Sequence, residues 1–83
     1  MGTFTIKTEY IRDVQGIGQW VRLTRKAQHL SQVNLAGISG TARRFIVDLE
    51  KGKETLQTGK MLKVLAALGL GVRIDNRWSL KNG

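Results

Sequence analysis

Residue types on which enzymes and secreted proteins depend are missing or scarce in this chain. It has no cysteine, which excludes a disulfide framework, a thiolate metal site and a cysteine nucleophile. Its one histidine, His29, has no second histidine or cysteine with which to bind a metal or activate a nucleophile. The six acidic residues are scattered among fourteen basic ones and form no pair on an evident shared face. The sequence therefore predicts no catalytic residue, no metal site and no cofactor.

Long apolar runs are also absent. The longest, residues 64–70, is far shorter than the roughly 20 residues that a bilayer-spanning helix needs. The first ten residues lack the basic region followed by an apolar region that marks a signal peptide. We therefore expect a cytoplasmic protein with no membrane partner.

Positive charge is what the chain has in excess. Fourteen Lys and Arg against six Asp and Glu give a net charge of +8 in 83 residues, a strong field toward an anionic partner, with nucleic acid the leading candidate. The charge is spread over the whole chain rather than along one amphipathic helix, which argues against a membrane surface. The length predicts one domain, near the size at which association helps a small core.

The pattern of residues 31–52 predicts two short helices that meet at a tight turn. Gly40 supplies the turn, because glycine adopts positive φ at the least cost, and Gly52 ends the second helix. Arg43 and Arg44 then lie in the first turn of the second helix and point away from its apolar face. Helix-turn-helix proteins read DNA from that place. The inner faces hold Leu35, Ala36 and Ser39 in the first helix and Phe45, Ile46 and Leu49 in the second.

Apolar periodicity predicts one further helix on either side of this pair. Asp13 suits the N-cap of a first helix that runs to about residue 28, although Gly16 and Gly18 weaken its first turn. Thr55 suits the cap of a last helix, which Gly69 and Gly71 stop. The inner faces hold Ile17, Trp20, Val21 and Thr24 in the first helix and Met61, Leu62, Leu65 and Leu68 in the last.

Both ends of the chain alternate apolar and polar residues. Residues 1–10 indicate a strand or, equally, a disordered arm. Residues 72–80 indicate a strand, and pairing with the same strand of a second subunit would cover its bare edges, so we expect a homodimer. A hairpin turning at Asp75 and Asn76, or pairing with residues 4–6, are the alternatives. The apolar side of the strand, and hence the predicted dimer contact, consists of Val72, Ile74, Trp78 and Leu80.

The motifs of residues 31–52 resemble the Xre/Cro-type helix-turn-helix. They are S-Q-x-x-L-A, then G-T-A, then a helix that ends in L-E-x-G. The longer run of residues 17–70, together with KMLKVLAALGLGVRI at residues 60–74, is similar more narrowly to the HipB-like antitoxin regulators. Two positions depart from the pattern: Thr41 stands where an aliphatic residue is usual, and Ala42 where a capping Ser or Thr is usual.

The resemblance implies an all-α, lambda repressor-like fold with a C-terminal β-strand for dimerisation. Residues 1–12 would form an N-terminal arm or strand, residues 13–70 the DNA-binding domain, and residues 71–83 the C-terminal strand and tail. The function implied is a sequence-specific repressor, in which a homodimer binds a palindromic operator in double-stranded DNA and, as an antitoxin, neutralises a HipA-like kinase toxin. A solitary regulator without a toxin is the main alternative, and an RNA-binding or protein-interaction module is a weaker one.

The expected DNA contacts follow from residue chemistry and from the resemblance. Arg43 and Arg44 carry planar guanidinium groups that match O6 and N7 of guanine bidentately. By resemblance, Gln32 would touch the DNA backbone or a base edge. Asp48 would face the groove, where a carboxylate accepts from cytosine N4 but repels phosphate.

The resemblance also assigns the remaining charged residues of this region. Lys51 and Lys53 would lie beside phosphates. Arg25 and Glu50 would form a buried ion pair that ties the first helix to the end of the recognition helix.

Overall fold

The computed structural model describes residues 10–54 and 57–74, and the regular structure in these ranges is entirely helical. The helices are α1 (Val14–Ala27), α2 (Gln32–Ser39), α3 (Arg43–Glu50) and α4 (Thr58–Ala67). Helix α3 packs against α1 and α2, and α4 packs against α2. This arrangement confirms the all-α helix-turn-helix prediction. Residues 71–74 form no strand, and the rest of the predicted C-terminal strand, like residues 1–9, lies outside the described residues.

The first two helices begin with side-chain caps and the last two do not. Asp13 accepts a hydrogen bond of 2.9 Å from the backbone N–H of Gly16, as predicted. Ser31 caps α2, where its hydroxyl accepts from the N–H of Asn34 at 2.9 Å. Ala42 gives α3 no side-chain cap. The prediction that Thr55 caps the last helix is wrong, because α4 begins at Thr58 with Gln57 at the N-cap.

Left-handed residues end all four helices of the described chain. Gly40 (φ 71°) makes the turn between α2 and α3, and Gly52 (φ 76°) follows α3, both as predicted. Gly69 (φ 78°) follows α4. At the end of α1 the left-handed residue is His29 (φ 58°), a conformation that a residue with a Cβ adopts at a cost. No sequence pattern indicates this strain.

The core lies where the inner faces of the four helices meet. The predicted inner faces of α2 and α3 are buried, apart from Phe45, which is half-buried. In α4 one of the four predicted residues was wrong: Leu62 is 45% exposed, whereas Val64, which was not predicted, is fully buried. At 100° per residue, positions 61, 64, 65 and 68 share one stripe and position 62 lies beside it. The buried apolar residues are Val21, Leu35, Ala36, Ile46, Leu49, Val64, Leu65 and Leu68.

Helix α1 approaches the end of α3 closely, and glycines make the approach possible. Gly18 is buried, and a Cβ on it would overlap the backbone carbonyl oxygen of Leu49. A Cβ on Gly52 would lie 2.9 Å from the Cα of Gln15. Gly18 therefore does more than weaken the first turns of α1. It lets two helix backbones touch.

Candidate nucleic-acid interface

The C-terminal end of α3 is held to α1 by an ion pair. Arg25 Nε lies 2.6 Å from Glu50 Oε2, and its Nη2 donates to Glu50 Oε1 at 3.0 Å. Both side chains are at most 10% exposed. The hydrogen bonds that Arg25 donates to Glu50 raise the pKa of Arg25 above its ordinary value. Burial lowers this pKa, and the negative charge of Glu50 raises it further. Arg25 also donates to the carbonyl of Leu30 at 2.9 Å, so it fixes the chain between α1 and α2 as well.

Gln32, the first residue of α2, connects this buried pair to the surface. Its side-chain NH₂ donates to Glu50 Oε1 at 3.2 Å. Its side-chain oxygen accepts from Arg43 Nη2 at 3.3 Å. A continuous set of polar contacts thus runs from Arg25 through Glu50 and Gln32 to Arg43. It places the Arg43 guanidinium beside the N-terminus of α2.

Arg44 lies apart from Arg43, toward the segment that follows α3. Its side chain is 77% exposed, and its Nε lies 3.4 Å from Asp48 Oδ1, one turn later in the same helix. The other carboxylate oxygen of Asp48 lies 3.9 Å from Lys53 Nζ. Asp48 therefore stands between two cations, so its negative charge is compensated within the chain.

The outer face of α3 carries more than its arginines. Because Ile46 and Leu49 point into the core, the positions opposite them are Arg44, Val47, Asp48 and Lys51. Val47 is half-buried. Sequence reasoning left it out, although its place three residues after Arg44 already put it on the outer face.

A second residue that sequence reasoning missed is cationic and lies at the start of α4. A cleft between α3 and α4 is lined by Arg44, Lys53 and Lys60, with Asp48 and Glu54 among the other lining residues. Lys60 is exposed. Nothing in the sequence pattern distinguishes Lys60 from the other lysines, since only the packing of α4 brings it beside α3.

The predicted dimer contact is described only in part. Val72 is 61% and Ile74 91% exposed, and Trp78 and Leu80 lie outside the described residues. Val72 borders a groove between the start of α1 and the chain after α4. Its apolar lining consists of Tyr10, Ile11, Val14, Ile17, Trp20, Leu65, Leu70 and Val72.

The described residues contain neither a metal-binding cluster nor a membrane-spanning helix. Within residues 10–54 and 57–74, no three His, Asp or Glu side chains come together to hold a metal ion. No helix in the same ranges is long and apolar enough to cross a membrane.

Comparison with known proteins decides the family. No protein-family model matches the chain. The uncharacterized HTH-type transcriptional regulator y4mF of Sinorhizobium fredii (strain NBRC 101917 / NGR234) is 52% identical over 64 residues, which cover 77% of this chain and 84% of y4mF. The chain belongs to the HTH-type transcriptional regulators.

Solved structures agree with this membership of the HTH-type regulators. The restriction-modification controller protein C.AhdI from Aeromonas hydrophila is 33% identical, with a TM-score of 0.63 over 70% of this chain and 88% of its own. A chain of the HipA-HipB-O2-O3 complex matches at 18% identity, with a TM-score of 0.76 over 86% of this chain and 100% of its own. A chain of the HipB-O4 20mer complex matches at 22% identity and a TM-score of 0.69. At such identities the HipB-containing structures show the fold.

Proposed function

We propose that the chain is a sequence-specific DNA-binding repressor that inserts α3 into the major groove of a palindromic operator. The observation that carries the proposal is the exposed cationic first turn of α3. The opposite end of that helix is held to α1 through the buried pair of Arg25 and Glu50. A helix fixed at one end and exposed at the other presents its side chains to a groove in a defined orientation.

The two arginines have different surroundings, which support different roles. Asp48 lies beside Nε of Arg44, so both Nη groups stay available for O6 and N7 of a guanine. We assign Asp48 the role of orienting Arg44, in preference to accepting a hydrogen bond from cytosine. Arg43, held beside Gln32, would reach bases or backbone at the α2 side of the groove.

Phosphate contacts would come from the lysines that flank α3. Lys51 is exposed at its C-terminal end, Lys53 follows in the next segment, and Lys60 lies across the cleft in α4. These side chains would neutralise backbone charge without reading sequence. If roughly six phosphates are neutralised across a dimer, the log–log slope of affinity against salt should be near −5, about −0.9 for each phosphate.

We propose a homodimer as the binding species, because a two-fold dimer reads two half-sites about 34 Å apart. Its contact would be formed by Val72, Ile74, Trp78 and Leu80 from each subunit. The exposure of Val72 and Ile74 and the apolar groove beside Val72 support this assignment. Truncation after residue 70 should abolish the dimer in sedimentation equilibrium and weaken operator binding at unchanged salt. A truncated chain that stays dimeric and binds the full palindrome normally would exclude these residues as the dimer contact.

The biological setting has two candidates. The fold similarity to a chain of the HipA-HipB-O2-O3 complex supports an antitoxin that also binds a HipA-like kinase toxin. The 33% identity to C.AhdI, a restriction-modification controller, favours a regulator without such a toxin. An adjacent reading frame that encodes a kinase-like protein, and co-purification of its product with this chain, would decide for the antitoxin.

Selection of bound sequences from random duplex DNA tests the central proposal. A palindrome should be enriched, whereas an RNA-binding or protein-interaction module would enrich none. On the selected duplex, Arg43→Ala and Arg44→Ala should each cost about 1–3 kcal/mol of affinity and relax base preference locally. Lys51→Ala and Lys53→Ala should instead weaken binding to all sequences alike. Unchanged affinity in both arginine variants would show that α3 does not read the groove.

A further inference from the structure

Val47 is an aliphatic residue among charged neighbours on α3. The residues three and four positions away on a helix are its surface neighbours, with Cβ atoms about 5–6 Å apart. For Val47 these are Arg43 and Arg44 on one side and Glu50 and Lys51 on the other. The helix therefore surrounds one apolar side chain with four charged ones.

The core does not account for Val47. The half-buried apolar side chains that pack against the core within the described ranges include Phe45 on α3 but not Val47. Position 47 lies opposite the buried stripe of Ile46 and Leu49, on the same outer face as Arg44. The part of Val47 that stays exposed therefore lies on the outer face of α3, where an apolar group from outside the chain can reach it.

We propose that Val47 reads thymine by packing against the C5-methyl group in the major groove. This inference rests on the proposed insertion of α3 into that groove and names one base that it would recognise. The C5-methyl of thymine is the apolar group that the four bases expose in the major groove, and cytosine has hydrogen at the same position. The guanidinium groups of Arg43 and Arg44 would lie on guanine and backbone nearby, so the thymine would be close to the guanine that Arg44 contacts.

Removal of that methyl group alone gives the sharpest test. The duplex selected from random DNA is resynthesised with each thymine of one half-site replaced singly by deoxyuridine, which keeps base pairing and hydrogen-bonding groups unchanged. Binding of each duplex is measured for the parent chain, for Val47→Ala and for Val33→Ala. Val33 is an exposed valine on α2 and serves as the matched control.

One deoxyuridine position should weaken binding of the parent chain about fourfold, the effect of burying about one methyl group. Val33→Ala should keep this sensitivity, whereas Val47→Ala should bind the thymine and deoxyuridine duplexes equally. Val47→Thr, in which a hydroxyl of similar size replaces one of the two methyl groups, should keep a sensitivity between those of the parent and Val47→Ala. Equal binding of all deoxyuridine duplexes by the parent, or the same sensitivity in Val47→Ala, would overturn the assignment. Either result leaves a selected palindrome intact, so it is distinct from failure of the repressor proposal.

Discussion

The two ends of α3 are built in opposite ways. At the C-terminal end, Glu50 is buried against Arg25, and Gly18 brings the backbone of α1 into contact with Leu49. At the N-terminal end, Ala42 provides no cap, and the Arg44 side chain is 77% exposed. Eight residues thus join a fixed end to an open one.

The contrast separates the stability of the chain from its chemistry of recognition. Contacts at the buried end should determine the free energy of unfolding and the direction in which α3 points. Groups at the open end have few partners to lose, so they are available to a ligand. Substitutions at the buried end should therefore lower stability, whereas those at the open end should change binding or improve the helix.

The largest expected effect comes from breaking the ion pair at the buried end. Arg25→Met leaves the buried carboxylate of Glu50 without its cation and removes a donor from the Leu30 carbonyl. It should cost roughly 3–5 kcal/mol of the free energy of unfolding. Lys26→Met, at the exposed next position, should stay within about 0.5 kcal/mol. Chemical denaturation of the two variants measures the difference. Equal midpoints would show that the pair does not hold α3 to α1.

A smaller effect should follow from separating the α1 and α3 backbones. Gly18→Ala places a methyl group against the Leu49 carbonyl, and such overpacking typically costs about 1–3 kcal/mol. Gly37 in α2 is the matched control, because a Cβ there meets no atom within 4 Å. Gly37→Ala should stabilise the chain by about 0.5–1 kcal/mol through helix propensity alone. Thermal unfolding midpoints that shift in the same direction for both variants would contradict the close contact between Gly18 and the Leu49 carbonyl.

An N-cap side chain, which the open end of α3 lacks, should stabilise the chain. Ala42 has φ −89° and ψ 152°, the extended conformation of an N-cap residue. Ala42→Ser should therefore stabilise the chain by about 1 kcal/mol, and Ser31→Ala should remove a similar amount at the start of α2. Urea denaturation measures both. A destabilised Ala42→Ser variant would mean that position 42 cannot take a capping side chain.

The smallest effect should come from the strained end of α1, close to the buried end of α3. His29 holds φ 58°, and glycine relieves the contact between its Cβ and the backbone while adding entropy to the unfolded chain. His29→Gly should give a net stabilisation of about 0.5 kcal/mol. A loss of stability of similar size would show that the imidazole makes a contact worth more than the strain.

The sequence pattern predicted much of this fold, because helix caps, turns and buried helix faces depend on residues that are close together in the sequence. The Asp13 cap, the turn at Gly40 and the buried faces of α2 and α3 each follow from residues within one or two helical turns. In α4 one of the four predicted core positions was wrong, because Leu62 and Val64 are both apolar and periodicity alone did not choose between them. The packing of α4 against α2 buries Val64 and leaves Leu62 exposed.

The sequence by itself determined the four helices, the turn between α2 and α3, the excess of positive charge and the family to which the chain belongs. Only the tertiary structure decided why Gly18 is a glycine and that Lys60 joins the surface of α3. Both features depend on the distances between helices. Local propensity and periodicity describe one element at a time, and such distances arise only when the helices pack.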